Sequence, residues 1–343
     1  MPKLSILGTG WGLRAQAPAF KAAGWTLHAL WGRSREKVAA AQHEHAFRHT
    51  PANWKDAIGG ADLVSVTTPP AEHLEQAAAV LSASTHLLCE KPLTLDAAQA
   101  RELLAASRVT RALGLVDFEL RMLPARQRMR ELVRDGYIGD LWSVECRYAS
   151  DTRADPGARH NWWSSREQGG GVWGAVGSHV LDGLLFVLER DISIAAARFA
   201  TAFPTRRDAI GYQQAVTSDD YASVLAEVGG APASIVLNAA ARQAQADLVI
   251  LRGTKGTLVL RGNLKLEGAQ GNDRVLSDLT PPVPEGVPAA FRADPWRLGT
   301  YLLAVRLREA VESGQAPADV ATLADGVRVQ ELLDDARRLG DWT

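Results

Sequence analysis

From Lys3 to Phe118 short β-branched or apolar runs alternate with longer stretches of helical period, and the glycine-rich turn Gly8-Thr9-Gly10-Trp11-Gly12-Leu13 stands directly after the first run. Parallel neighbours need a helix to carry the chain back, so this alternation is the pattern of βαβ units around a parallel sheet. Strands are expected at residues 4–7, 26–31, near Phe47, and at 63–67, 86–90 and 112–118. Helices are expected at 13–23, at 34–43 capped by Ser34, at 74–82, and in a segment entered through Thr94 or Asp96. Six strand-like runs within about 120 residues suit a doubly wound fold.

After Pro124 the rhythm changes. A helix at 125–134 and a strand at 141–149 lead to a polar loop, 150–168, that opens into Gly169-Gly170-Gly171 and a helix at 178–188. Strand-length segments at 221–228, 233–239, 247–253 and 257–261, most of them separated by glycine-containing turns, read as an antiparallel meander, and helices at 297–313 and 320–338 close the chain. A length of 343 residues suits two domains. The division is placed at 122/123, giving 1–122 and 123–343.

With 38 Lys+Arg against 39 Asp+Glu, the chain lacks the basic excess of a nucleic-acid binder. Two cysteines, Cys89 and Cys146, exclude a disulfide scaffold and fit a reducing compartment. There is no uninterrupted apolar run near eighteen residues, and strand-like residues begin at Lys3, so neither a membrane partner nor a signal peptide is expected. The expected location is the cytoplasm.

The glycine turn sits where an α/β sheet binds a dinucleotide. Gly8 permits the tight turn, and Gly10 lets a pyrophosphate approach backbone N–H groups at a helix N-terminus, where the helix dipole favours an anion. The third glycine of the G-x-G-x-x-G pattern is displaced: Leu13 holds its place and Gly12 comes one residue early. At the end of the second strand an acid would accept from a ribose hydroxyl, whereas a cation would accommodate a phosphate. Here the chain reads Trp31-Gly32-Arg33-Ser34-Arg35-Glu36-Lys37, with no acid at the tip. Arg33, Ser34 and Arg35 suit a phosphate, so NADP is preferred and NAD is the alternative.

Three more segments belong with the turn: Thr67-Thr68-Pro69-Pro70 with His73, Glu90-Lys91-Pro92, and Gly169-Gly170-Gly171 followed by Gly177-Ser178-His179 and Asp182. Together they resemble the glucose-fructose oxidoreductase / inositol dehydrogenase (Gfo/Idh/MocA) family over nearly the whole chain, and the Glu-Lys-Pro tripeptide after a strand is that family's most specific mark. The resemblance implies an N-terminal Rossmann domain, a doubly wound parallel sheet, followed by a substrate-binding and oligomerisation domain built on an open, mainly antiparallel sheet. It also implies an NAD(P)-dependent dehydrogenase or reductase acting on a sugar, polyol or keto-sugar, assembled as a homodimer or homotetramer. By resemblance Lys91 holds the reacting hydroxyl or carbonyl, with room for a cis bond before Pro92. Gly8 to Leu13, Trp31, Arg33 to Arg35, Thr67, Thr68, Pro69, Glu90 and Lys91 hold the cofactor. His73 either joins them or caps the helix it begins. A cation at the carboxyl end of a parallel strand faces a ligand and favours the alkoxide that develops as hydride leaves.

His179 stands at the family's catalytic histidine, and a neutral imidazole can take a hydroxyl proton near operating pH. Four residues before it the family pattern carries an Asp; this chain has Ala175. Three arrangements are open. Lys91 and His179 suffice, or Asp117, Glu119 or Asp182 supplies the carboxylate, or the chain binds cofactor without turnover, as a sensor. A nicotinamide-using glycoside hydrolase is the alternative enzyme. Substrate contacts are assigned to Lys91, Arg121, Trp162, Trp163, Trp173 and His179, since sugar C–H faces pack on indole rings, although packing alone explains Trp163 and Trp173 equally well. His160 and His179 lack the spacing of a metal pair, and no metal is expected.

Overall fold

The computed structural model describes residues 1–342. Contacts divide it into two compact units, one made of residues 1–122 and 284–330, the other of 123–283 and the chain from 331 onward. The single division expected at 122/123 is thus followed by a return of the chain to the first unit. The returning helix, Pro295–Ser313, carries Leu303, Ala304 and Leu307 into one core with Phe20, Trp25 and Leu30. Trp25 Nε1 donates to the carbonyl of Ala304 at 2.9 Å.

In the first unit five strands, β1 (Lys3–Leu7), β2 (Thr26–Trp31), β3 (Leu63–Val66), β4 (His86–Cys89) and β5 (Gly114–Val116), form one parallel sheet in the order β2-β1-β3-β4-β5. All four residues of β3 are buried, as expected where both faces of a parallel sheet are covered. The helices between these strands are α1 (Ala17–Ala22), α2 (Arg35–His45), α3 (His73–Ser82) and α4 (Ala97–Ser107). Ser34 Oγ accepts from the Lys37 N–H at the start of α2, and Asp96 accepts from the Gln99 N–H at the start of α4. The sixth strand expected near Phe47 is absent. Phe47 is buried, but its neighbours Arg48 and His49 are exposed, and although these two residues bond to the backbone of β2, the pairing amounts to one isolated bridge, Ala29 to His49. One apolar side chain anchors a loop there without the alternation that holds a strand.

The second unit contains α5 (Pro124–Arg134) and α6 (Ser178–Leu188) with strands β6 (Leu141–Ala149), β7 (Ile192–Ala200), β8 (Thr205–Arg207), β9 (Gln213–Ala215), β10 (Tyr221–Val228), β11 (Ala231–Asn238), β12 (Gln245–Gly253), β13 (Gly256–Arg261), β14 (Lys265–Gln270), β15 (Ser277–Asp278) and β16 (Gly340–Trp342). β8 and β9 form a separate hairpin, and the other nine make one sheet in the order β15-β14-β13-β12-β6-β11-β10-β7-β16. Most pairings are antiparallel; β6 with β11 and β16 with β7 are parallel. The expected meander is therefore interrupted, because β6 lies between β11 and β12. β10 and β11 join through Gly229-Gly230, both at positive φ, the geometry a two-residue hairpin turn requires. Ala222, Val224, Ala226 and Val228 point to the buried face with Ala233, Ile235 and Leu237.

The stretch Arg166–Leu188 is long and apolar enough to cross a membrane by length and composition, but 89% of its apolar window is buried within the protein. It is a core helix.

Candidate functional site

The first unit assembles its candidate site at the carboxyl ends of β1, β3, β4 and β5. At the glycine turn a Cβ on Gly8 would lie 2.4 Å from Thr67 Oγ1, and one on Gly12 would lie 2.6 Å from both Ile6 Cγ2 and Thr67 Oγ1. Gly12 thus provides the close helix-to-sheet packing usually given by the third glycine of the pattern. It acts one residue early because the helix opens with a wide turn, Gly12–Gln16, before α1. Around Gly10 nothing lies within 4 Å of a Cβ position, and no side chain caps this helix. The N-terminal amides are left to an approaching anion, so the turn fits a dinucleotide pyrophosphate. Trp11 sets its ring edge-on to Trp296, centroids 6.5 Å apart, while Thr9 and Leu13 are half-buried.

Beyond β2 the basic residues separate. Arg35 donates to the carbonyls of Pro51 and Thr50, both at 2.8 Å, and Trp31 Nε1 donates to Ala52, so these two side chains hold the loop after Phe47. Arg33 is the guanidinium that faces outward; its side chain is 71% exposed and meets Glu72 at 3.5 Å. Gly32 gives its space to Thr9, whose methyl carbon lies 2.3 Å from a Cβ position there.

After β3, Thr67 donates to the carbonyl of Leu7 and Thr68 to Gln76 Oε1, so both hydroxyls point inward. Pro69 is half-buried at the turn that follows. His73 is wholly buried and does not cap its helix by a side-chain bond. Its Nε2 lies 2.7 Å from the carbonyl of Thr68, and its Nδ1 lies 3.1 Å from those of Pro92 and Leu93. Burial lowers the imidazole pKa, against an upward pull from these three carbonyls. The ring fastens the loop after β3 to the turn after β4, and that turn holds Glu90, Lys91 and a cis peptide before Pro92. Lys91 is half-buried and Glu90 is buried. Glu90 and Asp117 both accept from Gln16 Nε2, at 3.2 and 2.7 Å. Arg121, assigned above to substrate, is buried and paired with Asp325 at 3.0 Å, which in turn accepts from Thr322.

The second unit builds its candidate site around the glycine run. Gly169 and Gly171 take positive φ, and a second wide turn, Trp173–Gly177, opens into α6. Asp219 Oδ2 accepts from the Trp173 N–H at 2.7 Å, supplying the anion at this helix start. Burial pushes the Asp219 carboxyl up to about 6, opposed by that N–H and by Arg337. His179 and Asp182 are both buried on α6, and Ala175 is buried in the turn that precedes it. Trp173 is fully buried, donates through Nε1 to the carbonyl of Leu333 and packs against Phe199. Its assignment to substrate is therefore corrected: it is a core side chain with no face to offer. Trp162 and Trp163 are half-buried, with ring centroids 5.8 Å apart. Their loop is fixed by Arg206, which is 2% exposed and donates to the carbonyls of Arg153, Asp155 and Ala158.

Residues 3–118 match the family model described as "Oxidoreductase family, NAD-binding Rossmann fold", and residues 126–259 match the "GFO/IDH/MocA C-terminal domain". The chain belongs to the GFO/IDH/MocA oxidoreductase family. An uncharacterized oxidoreductase of Synechocystis sp. is 30% identical over 269 residues, which cover 76% of this chain and 72% of that protein. Glucose-fructose oxidoreductase domain-containing protein 1 of Xenopus tropicalis is 26% identical over 363 residues, covering 100% of this chain and 92% of its own. Among solved structures, a levoglucosan dehydrogenase in complex with NADH and levoglucosan superposes with a TM-score of 0.89 at 21% identity, over 98% of this chain and 96% of that one. This member of the GFO/IDH/MocA family is accordingly an oxidoreductase with a nicotinamide-dinucleotide-binding Rossmann domain.

Sequence reading missed Gln16, Ser65 and Arg206 in this GFO/IDH/MocA protein. Gln16 and Ser65 lie within apolar runs and bond inward, so an interruption of the hydrophobic pattern by a polar residue was the signal available. For Arg206 there was none: its three acceptors are backbone carbonyls about fifty residues away.

Proposed function

We propose that this oxidoreductase transfers hydride between NADP and a sugar, polyol or keto-sugar, with Lys91 and His179 as the polar pair at the reacting carbon. The observation that carries this reading is the setting of Lys91. It follows buried Glu90 at the carboxyl end of a sheet strand, in a turn fastened by His73 to the neighbouring loop. Ligands of open α/β sheets bind beyond that edge.

A bound nicotinamide supplies or accepts the hydride. The Lys91 ammonium then steadies negative charge on the substrate oxygen, and the His179 imidazole takes the hydroxyl proton in oxidation and returns it in reduction. NADP is favoured by the missing acid at the end of β2 and by the outward guanidinium of Arg33. A sugar-like substrate is supported by the fixed Trp162–Trp163 pair and by the levoglucosan bound in the structural neighbour. We place the protein in the cytoplasm, on the strength of two free, buried cysteines. For self-association we propose the second face of the nine-stranded sheet, where Leu225 is 56% exposed on a row with Ser234, Glu145 and Ile250.

Lys91→Ala tests the assignment. Turnover across a panel of sugars and polyols is expected to fall about a hundredfold or more, the cost of losing a charge-stabilising group. NADP affinity, read by calorimetry, is expected to change less than about threefold, roughly the 0.7 kcal/mol of a surface interaction. Proportional losses of both reassign Lys91 to cofactor holding. Ala175 favours a second reading, a cofactor sensor; NADP binding without turnover on any member of the panel supports it.

A further inference from the structure

Beneath Lys91 lies a carboxyl pair for which hydride transfer gives no role. Glu90 is 7% exposed and Asp117 fully buried, and one side-chain nitrogen, Gln16 Nε2, donates to both. The orientation of that amide is fixed from the other side, since Gln16 Oε1 accepts from Ser65 Oγ at 2.6 Å. Gln16 therefore presents its nitrogen to the two acids. Glu90 and Asp117 lie close enough to act on each other's ionisation. Glu90 Oε2 further accepts from the backbone N–H of Lys91 at 3.2 Å.

Two adjoining carboxylates in a low-dielectric interior do not both ionise readily, because burial and mutual repulsion each favour a proton on one of them. Burial, and then the charge of Asp117, push Glu90 well above the ordinary carboxylate range. Asp117 is also raised by burial, but Glu90 and Gln16 pull it back. Both acids are thus pushed toward holding a proton, Glu90 the more strongly. Two other titratable groups act on the pair: the Lys91 ammonium favours its ionised form and Glu119 opposes the ionisation of Glu90, while the neighbouring Cys89 thiol is pushed up by burial and then by both acids.

We propose that Glu90 and Asp117 are positioning residues that share one proton beside the Gln16 bridge, and that the net charge of this pair sets how Lys91 is held toward its ligand. The proposal rests on the placement of Lys91 argued above. As pH rises the O–H bond of Glu90 releases its proton to solvent, and the pair passes from one negative charge to two. As pH falls Asp117 takes up a proton and the pair becomes neutral.

The test is a carboxyl-carbon NMR titration of the whole, ligand-free chain, with the two side chains assigned through the backbone so that no variant is required. One carboxyl is expected to stay protonated through the range in which exposed carboxylates have ionised. In Asp117→Asn the Glu90 transition is expected to move toward acid pH, because the like charge is gone; in Glu90→Gln the Asp117 transition is expected not to follow, because Glu90 pulls Asp117 down. Ordinary, independent transitions for both acids in the wild type overturn the shared proton. The second measurement is the side-chain nitrogen resonance of Lys91 against pH in the same ligand-free chain. A step in its chemical shift is expected where the second proton leaves the pair, one charge acting over several ångströms. In Asp117→Asn that step is expected to follow Glu90 toward acid pH. A wild-type resonance without such a step overturns the link to Lys91. If both measurements come out as expected and no sugar or polyol is turned over, this inference stands and the catalytic reading fails.

Discussion

Two glycine-rich turns in this chain lead through a wide helical turn into a helix, and they are built for opposite purposes. At the first, Gly8 and Gly12 press against Thr67 and Ile6, but Gly10 faces open space and no side chain caps the helix. At the second, a Cβ on Gly170 would stand 2.2 Å from the Trp163 carbonyl, one on Gly171 2.1 Å from Asp219, and one on Gly177 2.6 Å from the Trp173 ring. The helix start after the second turn already has an anion, the Asp219 carboxylate. A run of glycines is therefore no mark of a ligand cradle by itself. What distinguishes a cradle is an unfilled Cβ position in front of amides that no side chain satisfies.

Single alanines can break this contrast. Gly171→Ala has the largest expected effect, because it combines a φ of +102° with a collision against Asp219. A loss of about 3 kcal/mol or more is expected, the range of a strained backbone joined to a disrupted buried bond. Denaturant unfolding measures it, and stability close to wild type would mean that the second turn is looser than its packing indicates. Gly10→Ala is expected to leave stability within about 0.5 kcal/mol, as for a solvent-facing change. Its new methyl group stands where a pyrophosphate would approach the amides, so NADP affinity is expected to fall about tenfold or more, or roughly 1.4 kcal/mol. Unchanged affinity in calorimetry would remove the distinction between the turns.

The same contrast explains what could be read from the chain. The Rossmann unit was legible because each β-strand is a short buried run and each helix follows within a few residues; even the displaced Gly12 was visible, although its compensation by a wide turn was not. The nine-stranded sheet was less so. β7 is rich in alanine and alternates poorly, and β14 contains Lys, Glu and Gly, so neither carried a strand signal. The insertion of β6 between β11 and β12 depends on pairing between segments about a hundred residues apart. Return of the helix Pro295–Ser313 to the first unit was hidden for the same reason: its apolar stripe says that it is buried, not where. Lys91 and His179 were proposed from motif alone, whereas Trp173 was misassigned because a buried and a ligand-facing indole look alike in sequence.

The smallest expected effects concern Arg33, at the edge of the first turn. If that turn is the cofactor cradle, then the outward guanidinium of Arg33 decides between cofactors, since Arg35 is committed to the carbonyls of Thr50 and Pro51. Arg33→Asp is expected to weaken NADP about tenfold, one charge-assisted contact, and to improve NAD relative to it. Arg33 also meets Glu72 at 3.5 Å, an exposed pair of the kind that contributes no more than about 1 kcal/mol. Glu72→Gln should therefore release the guanidinium and strengthen NADP by a factor of about two to five, leaving NAD unchanged. Calorimetry with both cofactors on both variants separates the roles. Equal wild-type affinity for the two cofactors, unaltered by either change, would show that the basic tip after β2 is a solvated helix start and that the first turn recognises only what the cofactors have in common.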